Sequence, residues 1–283
     1  MKLIECPRDA WQGLNAFIAT KDKIDYLNRL LQVGFDTLDF GSFVSPKAMP
    51  QVSDTALVVE GLDLAKSNTR LLAIVANARG AAQACSIEKI HAIGYPFSIS
   101  DTFQIRNTNA SMEQSVVRLK EISTLCMEHG KELVVYISMG FGNPYGDPWS
   151  PTIVGEWVQK LSGFNIRTFS LSDTVGLAQP DAIAALFTEL IGTYPEIEFG
   201  AHFHTKPEEW KPKVTAAYQA GCRRFDGALL GYGGCPMAQD DLVGNMPTER
   251  LIQFGQDEGE LLNLDLDLLE TCKAQFSTLM QGV

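Results

Sequence analysis

Short apolar runs rich in β-branched and aromatic residues recur eight times along the chain, separated by stretches of helical periodicity. The runs are Leu3–Cys6, Thr37–Phe40, Leu71–Ala76, Ile90–Phe97, Leu133–Ser138, Thr168–Ser172, Glu198–His204 and Arg224–Leu230. Helical patterns fill the intervals at Asp22–Val33, Asp54–Ser67, Ala78–Cys85, Ser111–His129, Ser150–Leu161, Pro180–Thr193 and Lys206–Ala220, and resume at Thr248–Asp257. Strands joined through helices pair in parallel by right-handed crossovers, because only that hand packs the helix back onto a twisted sheet. The alternation therefore predicts an α/β fold, a (β/α)8 TIM barrel with an extra C-terminal helix over Asp265–Met280. An open doubly wound sheet is the second choice. No linker or low-complexity segment interrupts the pattern, so residues 1–283 are expected to form a single barrel domain. Ser111 with Gln114 has the form of a capping box, and Gly130 after His129 is a helix stop.

Charge and cysteine usage narrow the function classes. A net charge of -11 argues against nucleic acid as a partner, since phosphate backbones call for basic surface. No apolar run reaches membrane-spanning length, and Met1-Lys2-Leu3-Ile4-Glu5 has no signal-peptide pattern, so no membrane partner and a cytoplasmic location are expected. The six cysteines are scattered without a C-x-x-C pair, which fits neither a disulfide framework nor a zinc finger. Cys126 and Cys272 fall on helical patterns and read as packing.

Residues at the C-terminal ends of barrel strands face the active site. There the chain offers Arg8 and Asp9 after the first run, Asp39 in the second, and Tyr136 and Ser138 in the fifth. Asp173 follows the sixth, His202 and His204 end the seventh, and Cys235 and Asn245 follow the eighth. Two histidines two positions apart on a strand point to one face, a common way to hold a divalent metal. Asp9 is the natural carboxylate to join them, and Asn245 could add an amide oxygen. The plainer alternative is a pair of structural histidines without a metal. His91 and His129 read as structural. In Gly233-Gly234-Cys235-Pro236, two glycines and a proline surround a thiol just beyond a strand, a setting unlike that of a core cysteine.

These motifs, in this order, resemble the 3-hydroxy-3-methylglutaryl-CoA lyase family of metal-dependent TIM barrels. Pro7-Arg8-Asp9 with Gln12 is similar to the family's opening metal motif, and Ser42 to Lys47 with Pro50-Gln51 to its second loop. Ser100, Phe103 and Asn107 resemble its fourth segment, and Phe141-Gly142-Asn143-Pro144-Tyr145 its fifth. Asp173-Thr174-Val175-Gly176 resembles its sixth loop, and Gly233 to Pro236 with Ala238-Gln239 its cysteine loop. Gly244-Asn245 and Thr248-Glu249 match the segment after it. The resemblance implies an acyl-CoA thioester substrate cleaved to acetyl-CoA and a keto acid, with Mg²⁺ or Mn²⁺ on Asp9, His202, His204 and Asn245. It implies that Arg8 stabilises an enolate oxygen and that Cys235 acts as acid and base. It also makes Asp39 and Asp173 acid/base or water-positioning carboxylates, with Glu249 behind the metal ligands. Ser45 and Lys47 are expected to meet the CoA, and a homodimer is left open.

The chain departs from the family pattern in four places. Asp39 stands where glutamate is usual, and Ala10-Trp11 replaces Gly-Leu. Thr205-Lys206-Pro207 replaces an acidic residue and a Thr-Tyr-Gly run, and Asp240-Asp241-Leu242-Val243 is longer and more acidic than usual. A metal-dependent aldolase or acetyl-CoA condensing enzyme of the same superfamily is the alternative, though these generally lack the Gly-Gly-Cys-Pro loop. A barrel that binds metal without catalysis is a further alternative, but it leaves Arg8 and Asp173 without a purpose.

Overall fold

A computed structural model of the chain describes residues 1–234 and 243–281. Eight parallel strands close in sequence order: β1 (Lys2–Glu5), β2 (Thr37–Ser42), β3 (Arg70–Ile74), β4 (Ala92–Ser98), β5 (Glu132–Ser138), β6 (Thr168–Asp173), β7 (Glu198–Phe203) and β8 (Arg224–Gly227). The ring is completed by β8 pairing with β1, where Lys2 sits opposite Arg224 and Glu5 opposite Gly227. The helices, in chain order, are α1 (Pro7–Trp11), α2 (Thr20–Val33), α3 (Thr55–Glu60), α4 (Ala78–Cys85), α5 (Asp101–Thr108), α6 (Met112–Glu128), α7 (Pro151–Ser162), α8 (Pro180–Thr193), α9 (Trp210–Gln219), α10 (Thr248–Asp257) and α11 (Leu266–Gln281). The expected TIM barrel and its C-terminal helix are both present. Among the described residues, no helix is long and apolar enough to cross a membrane.

Sequence-predicted helix boundaries fail where local chemistry intervenes. The pattern over Asp54–Ser67 yields a helix that stops at Glu60, because the Asn28 side chain donates to the Gly61 carbonyl and accepts from the Asp63 amide. The helix expected from Lys206 begins at Trp210, since Pro207 disfavours helical backbone at the residue before it. Two short helices, α1 and α5, were not anticipated. Pro7 starts α1 at a position where its missing N–H costs nothing, and Ser100 caps α5 by accepting from the Phe103 amide. The Ser111–Gln114 capping box forms as expected.

The barrel interior is divided. Leu72, Ile74, Ala92, Val134 and Tyr136 form an apolar cluster within it. On the other side Ser170, Arg224, Asp226 and His202 are buried polar groups. A bulge in β2 controls what that strand presents: the register skips Phe40, so Asp39 pairs with Leu72 and Ser42 with Ile74. Because strand side chains alternate between faces, the extra residue lets both Asp39 and Ser42 share the side of Leu72 and Ile74, while Phe40 joins the outer core.

Glu5 secures the β1–β8 seam. Its buried carboxylate accepts from the Leu229 amide at 3.0 Å and from the Thr248 hydroxyl at the first turn of α10. Burial pushes its pKa from 4.5 up to about 8; the two hydrogen bonds oppose the rise, and Glu249 adds to it. The folded chain therefore holds a proton that the unfolded chain releases near 4.5. Stability contributed by this protonated carboxyl is lost as pH rises toward about 8. Glu5→Gln keeps a neutral side chain of the same shape, so its melting temperature relative to the parent should rise steadily from pH 5 to pH 8.5. Calorimetry at several pH values checks this; a pH-independent difference would mean that Glu5 folds as the anion.

Candidate active site

A cavity of about 440 Å³ opens at the C-terminal end of the barrel. At one end it is lined by Arg8, Asp9, His202 and His204, and elsewhere by Arg106 and Arg118 from α5 and α6. The strand-end residues singled out from the sequence thus share one space only in part, and side-chain direction decides which.

Asp9, His202 and His204 converge, with ligand-capable atoms of all three within 4.8 Å of one another. Asp9 comes from the helical turn α1, which places Arg8, Asp9 and Gln12 close together immediately after β1. The Asp9 Oδ1 atom is taken: it accepts from Arg8 Nη1 at 2.9 Å and from Gln12 Nε2. Its Oδ2 atom has no hydrogen-bond partner among the described residues, although it is buried. His202 Nε2 lies 3.9 Å from that oxygen and His204 Nε2 lies 4.0 Å from it. Both imidazoles are held from behind, His202 Nδ1 by Asp226 Oδ2 at 3.1 Å and His204 Nδ1 by the Thr174 carbonyl at 2.8 Å.

The Thr174 bond fixes the state of His204. A carbonyl can only accept, so Nδ1 carries the hydrogen, and in the neutral ring Nε2 is an acceptor. Burial and then the neighbouring His202 both hold the His204 pKa below its usual value, which favours that neutral ring. Its Nε2 atom is buried and has no partner among the described residues. Two acceptors, a carboxylate oxygen and an imidazole nitrogen, therefore face each other and cannot bond to one another. A cation between them resolves the conflict. An oxygen and two nitrogens suit a hard or borderline divalent metal better than a thiolate-seeking one. The residues present thus fit the ion that the sequence motifs imply.

The charges around the trio are tuned in opposite directions. Burial would push the Asp9 carboxyl up, but Arg8 and then the two histidines outweigh it, and the pKa falls below the usual carboxylate value. Burial likewise opposes protonation of His202, yet the hydrogen bond it donates to Asp226 and the charge of that carboxylate raise the ring's pKa.

Arg8 is held as a fork. Its Nε donates to Asp39 Oδ1 at 3.1 Å, its Nη2 to Asp39 Oδ2, and its Nη1 to Asp9 and to Gln12 Oε1 at 2.8 Å. Of the five N–H groups of a guanidinium, these bonds use four. One Nη2 hydrogen is left over among the described residues, on a side chain that lines the cavity.

Two expected acid/base carboxylates are placed otherwise. Asp39 is completely buried and spends both oxygens on Arg8. Burial raises its pKa although Arg8 pulls the other way. Its place is behind the guanidinium, which it orients, and not on the cavity wall. Asp173 ends β6 with its side chain turned outward, on the opposite face from Ser170 and Ser172. Its Oδ2 accepts from Lys213 Nζ at 2.7 Å and from the Ala178 amide at 3.1 Å, so it too is turned away from the cavity. Its neighbours Ser172 and Thr174 line the wall instead.

Asn245 is buried beside His204, to which it is bridged through the backbone, and its amide nitrogen donates to the Tyr232 carbonyl at 2.9 Å. Ser45 lines the cavity, and Lys47 is exposed on the same loop. Glu249 accepts from the Leu230 amide at 3.1 Å. Cys235 lies outside the described residues. Two positions before it, Gly233 has φ +94°, and a Cβ there would stand 2.6 Å from the Asp9 carbonyl. Only glycine permits so close an approach of this loop to the metal-ligand turn.

Asp226 was not singled out from the sequence. The run Arg224–Leu230 reads as one apolar strand, but β8 ends at Gly227 and brings Asp226 opposite His202 in the β7–β8 register. A charged residue in a barrel strand, one strand over from a histidine pair, was the available signal.

Comparison with known proteins adds kinship to this geometry. The family model described as HMGL-like matches residues 3–276. The hydroxymethylglutaryl-CoA lyase YngG of Bacillus subtilis is 31% identical over 263 residues, covering 93% of this chain and 87% of the relative. The mitochondrial hydroxymethylglutaryl-CoA lyase of Arabidopsis thaliana is 28% identical over 270 residues, covering 95% of this chain; the match spans only 57% of that longer protein. A solved structure of an HMG-CoA lyase from Acinetobacter baumannii, in complex with coenzyme A and 3-methylmalate, superposes with a TM-score of 0.92. That pair is 30% identical, and the match covers 99% of this chain and 91% of the other.

Asp226 holds His202 in place, so Asp226→Asn should weaken Mn²⁺ binding by roughly 10- to 100-fold, the usual scale for losing the partner of a ligating histidine. Titration of the electron paramagnetic resonance signal of free Mn²⁺ measures this. Unchanged affinity in a folded variant would leave the Asp226 contact without a part in metal binding.

Proposed function

The chain belongs to the HMGL-like family, and on that premise we propose that it is a metal-dependent carbon–carbon lyase acting on 3-hydroxy-3-methylglutaryl-CoA or a close 3-substituted homologue. The products are acetyl-CoA and acetoacetate, or the matching keto acid. The observation that carries this reading is the trio Asp9, His202 and His204, whose facing acceptor atoms call for a cation, set next to a guanidinium in one cavity.

Retro-Claisen cleavage removes the proton of a tertiary hydroxyl, breaks the adjacent carbon–carbon bond and leaves a thioester enolate. Asp9, His202 and His204, with Asn245 beside them, would hold Mg²⁺ or Mn²⁺, which when bound would supply a Lewis acid that makes a substrate hydroxyl more acidic. Arg8 serves the other fragment. Its charge is permanent, its fork is locked by Asp39, and its uncommitted Nη2 hydrogen is available to the enolate oxygen. Cys235 balances the protons: as thiolate it takes the hydroxyl proton and as thiol it gives one to the enolate carbon, a pair of tasks that suits a thiol whose ordinary pKa is about 8.5. Arg106 and Arg118 give the cavity a basic region suited to a CoA phosphate, within a chain that is acidic overall. Ser45 on the cavity wall and Lys47 on its loop are further candidates for that contact.

The direct test is release of acetyl-CoA from a small panel of 3-hydroxy-3-alkylglutaryl-CoA esters. Release from at least one member, with one keto acid formed per acetyl-CoA, supports the lyase; none from any member refutes it.

Arg8→Lys keeps the charge but loses the planar fork, so kcat should fall by roughly 10²- to 10³-fold while KM changes little. Steady-state kinetics decides: an effect confined to KM would put Arg8 in ground-state binding.

A further inference from the structure

We propose that Lys213 is a positioning residue that sets His204 for metal binding from outside the cavity, an inference that rests on the metal reading above. Lys213 sits on α9 and is almost fully buried. Its ammonium has three donors, and three acceptors from two different strand ends meet it: Asp173 Oδ2 at 2.7 Å, the Gly176 carbonyl at 3.0 Å and the His204 carbonyl at 3.3 Å. The contact is a clasp between the end of β6 and the end of β7.

What the clasp holds is the immediate support of His204. The His204 amide donates to the Asp173 carbonyl at 3.2 Å, and its ring Nδ1 is bonded to the carbonyl of Thr174, the residue after Asp173. The turn that follows is pinned at Gly176 by the same ammonium and at Ala178 by the same carboxylate. Lys213 thus grips the backbone on both sides of the Thr174–His204 bond. Without it, Asp173 would be a buried carboxylate with no countercharge, and the turn would relax toward water. The Thr174 carbonyl, which selects the His204 tautomer, would move with that turn. The clasp also gives Asp173 a purpose that its outward orientation denies it in acid/base chemistry.

The test compares Mn²⁺ binding and kinetics in the parent, in Lys213→Met, and in Lys213→Met combined with Asp173→Asn. The double variant leaves no lone buried charge, so it keeps the question answerable if the single variant fails to fold. With folding verified by thermal melts, both variants should bind Mn²⁺ at least about tenfold more weakly, the scale for losing support behind a ligand. At saturating Mn²⁺, kcat should fall more than KM rises. A folded double variant with Mn²⁺ affinity within twofold of the parent overturns the proposal, since a merely structural clasp would lower the melting temperature alone. Metal affinity is read without substrate. A wrong lyase assignment would therefore appear separately, as a parent that binds Mn²⁺ but releases no acetyl-CoA.

Discussion

A carboxylate oxygen and an imidazole nitrogen, both buried and both acceptors, stand 4.0 Å apart with nothing donated to either among the described residues. The rest of the site is arranged to keep them so. Arg8 and Gln12 occupy the other Asp9 oxygen, and the Thr174 carbonyl occupies the other His204 nitrogen. Asp226 does the same for His202. Each support comes from a different strand end, so the geometry exists only once the barrel has closed. An anion confined away from water is costly unless a countercharge lies nearby. Arg8 reduces that cost for Asp9 without covering the oxygen that faces the histidines.

The barrel interior explains how such polarity is tolerated. Its apolar cluster, from Leu72 to Tyr136, belongs to β3, β4 and β5. On the opposite wall, polar groups from β6, β7 and β8 face inward, where Asp226 accepts from Ser170 and lies 4.0 Å from Arg224. At the N-terminal end, exposed Lys2 pairs with Glu198 and Arg70 with Glu132, while Arg224 reaches Glu198 at 3.7 Å. Pairs like the first two contribute little on their own. Through Glu198 the buried Arg224 has a partner that reaches toward solvent.

The strand order and the H-x-H pair were legible in the sequence because both depend on periodicity alone. Ser111 with Gln114 and Gly130 were legible as local backbone chemistry. Side-chain direction at strand ends was not. Asp39 and Asp173 sit where family resemblance expects acid/base carboxylates, yet a β2 bulge and a guanidinium claim the first, and the outward face of β6 claims the second. Neither the bulge nor Lys213 leaves a mark on hydrophobic periodicity. Asp226 was hidden by a strand that ends three residues before its apolar run does. Contacts across 30 to 40 residues, such as Lys213 with Asp173 and Arg8 with Asp39, arise only from the closed ring.

Turnover during exhaustive chelation, followed by Mn²⁺ titration, tests the metal centre most directly. Activity should vanish with EDTA and return in proportion to one ion per chain, with Asp9→Ala and His204→Ala failing to recover it. Full activity after the metal has been removed would contradict the assignment of Asp9, His202 and His204 as the centre of the chemistry.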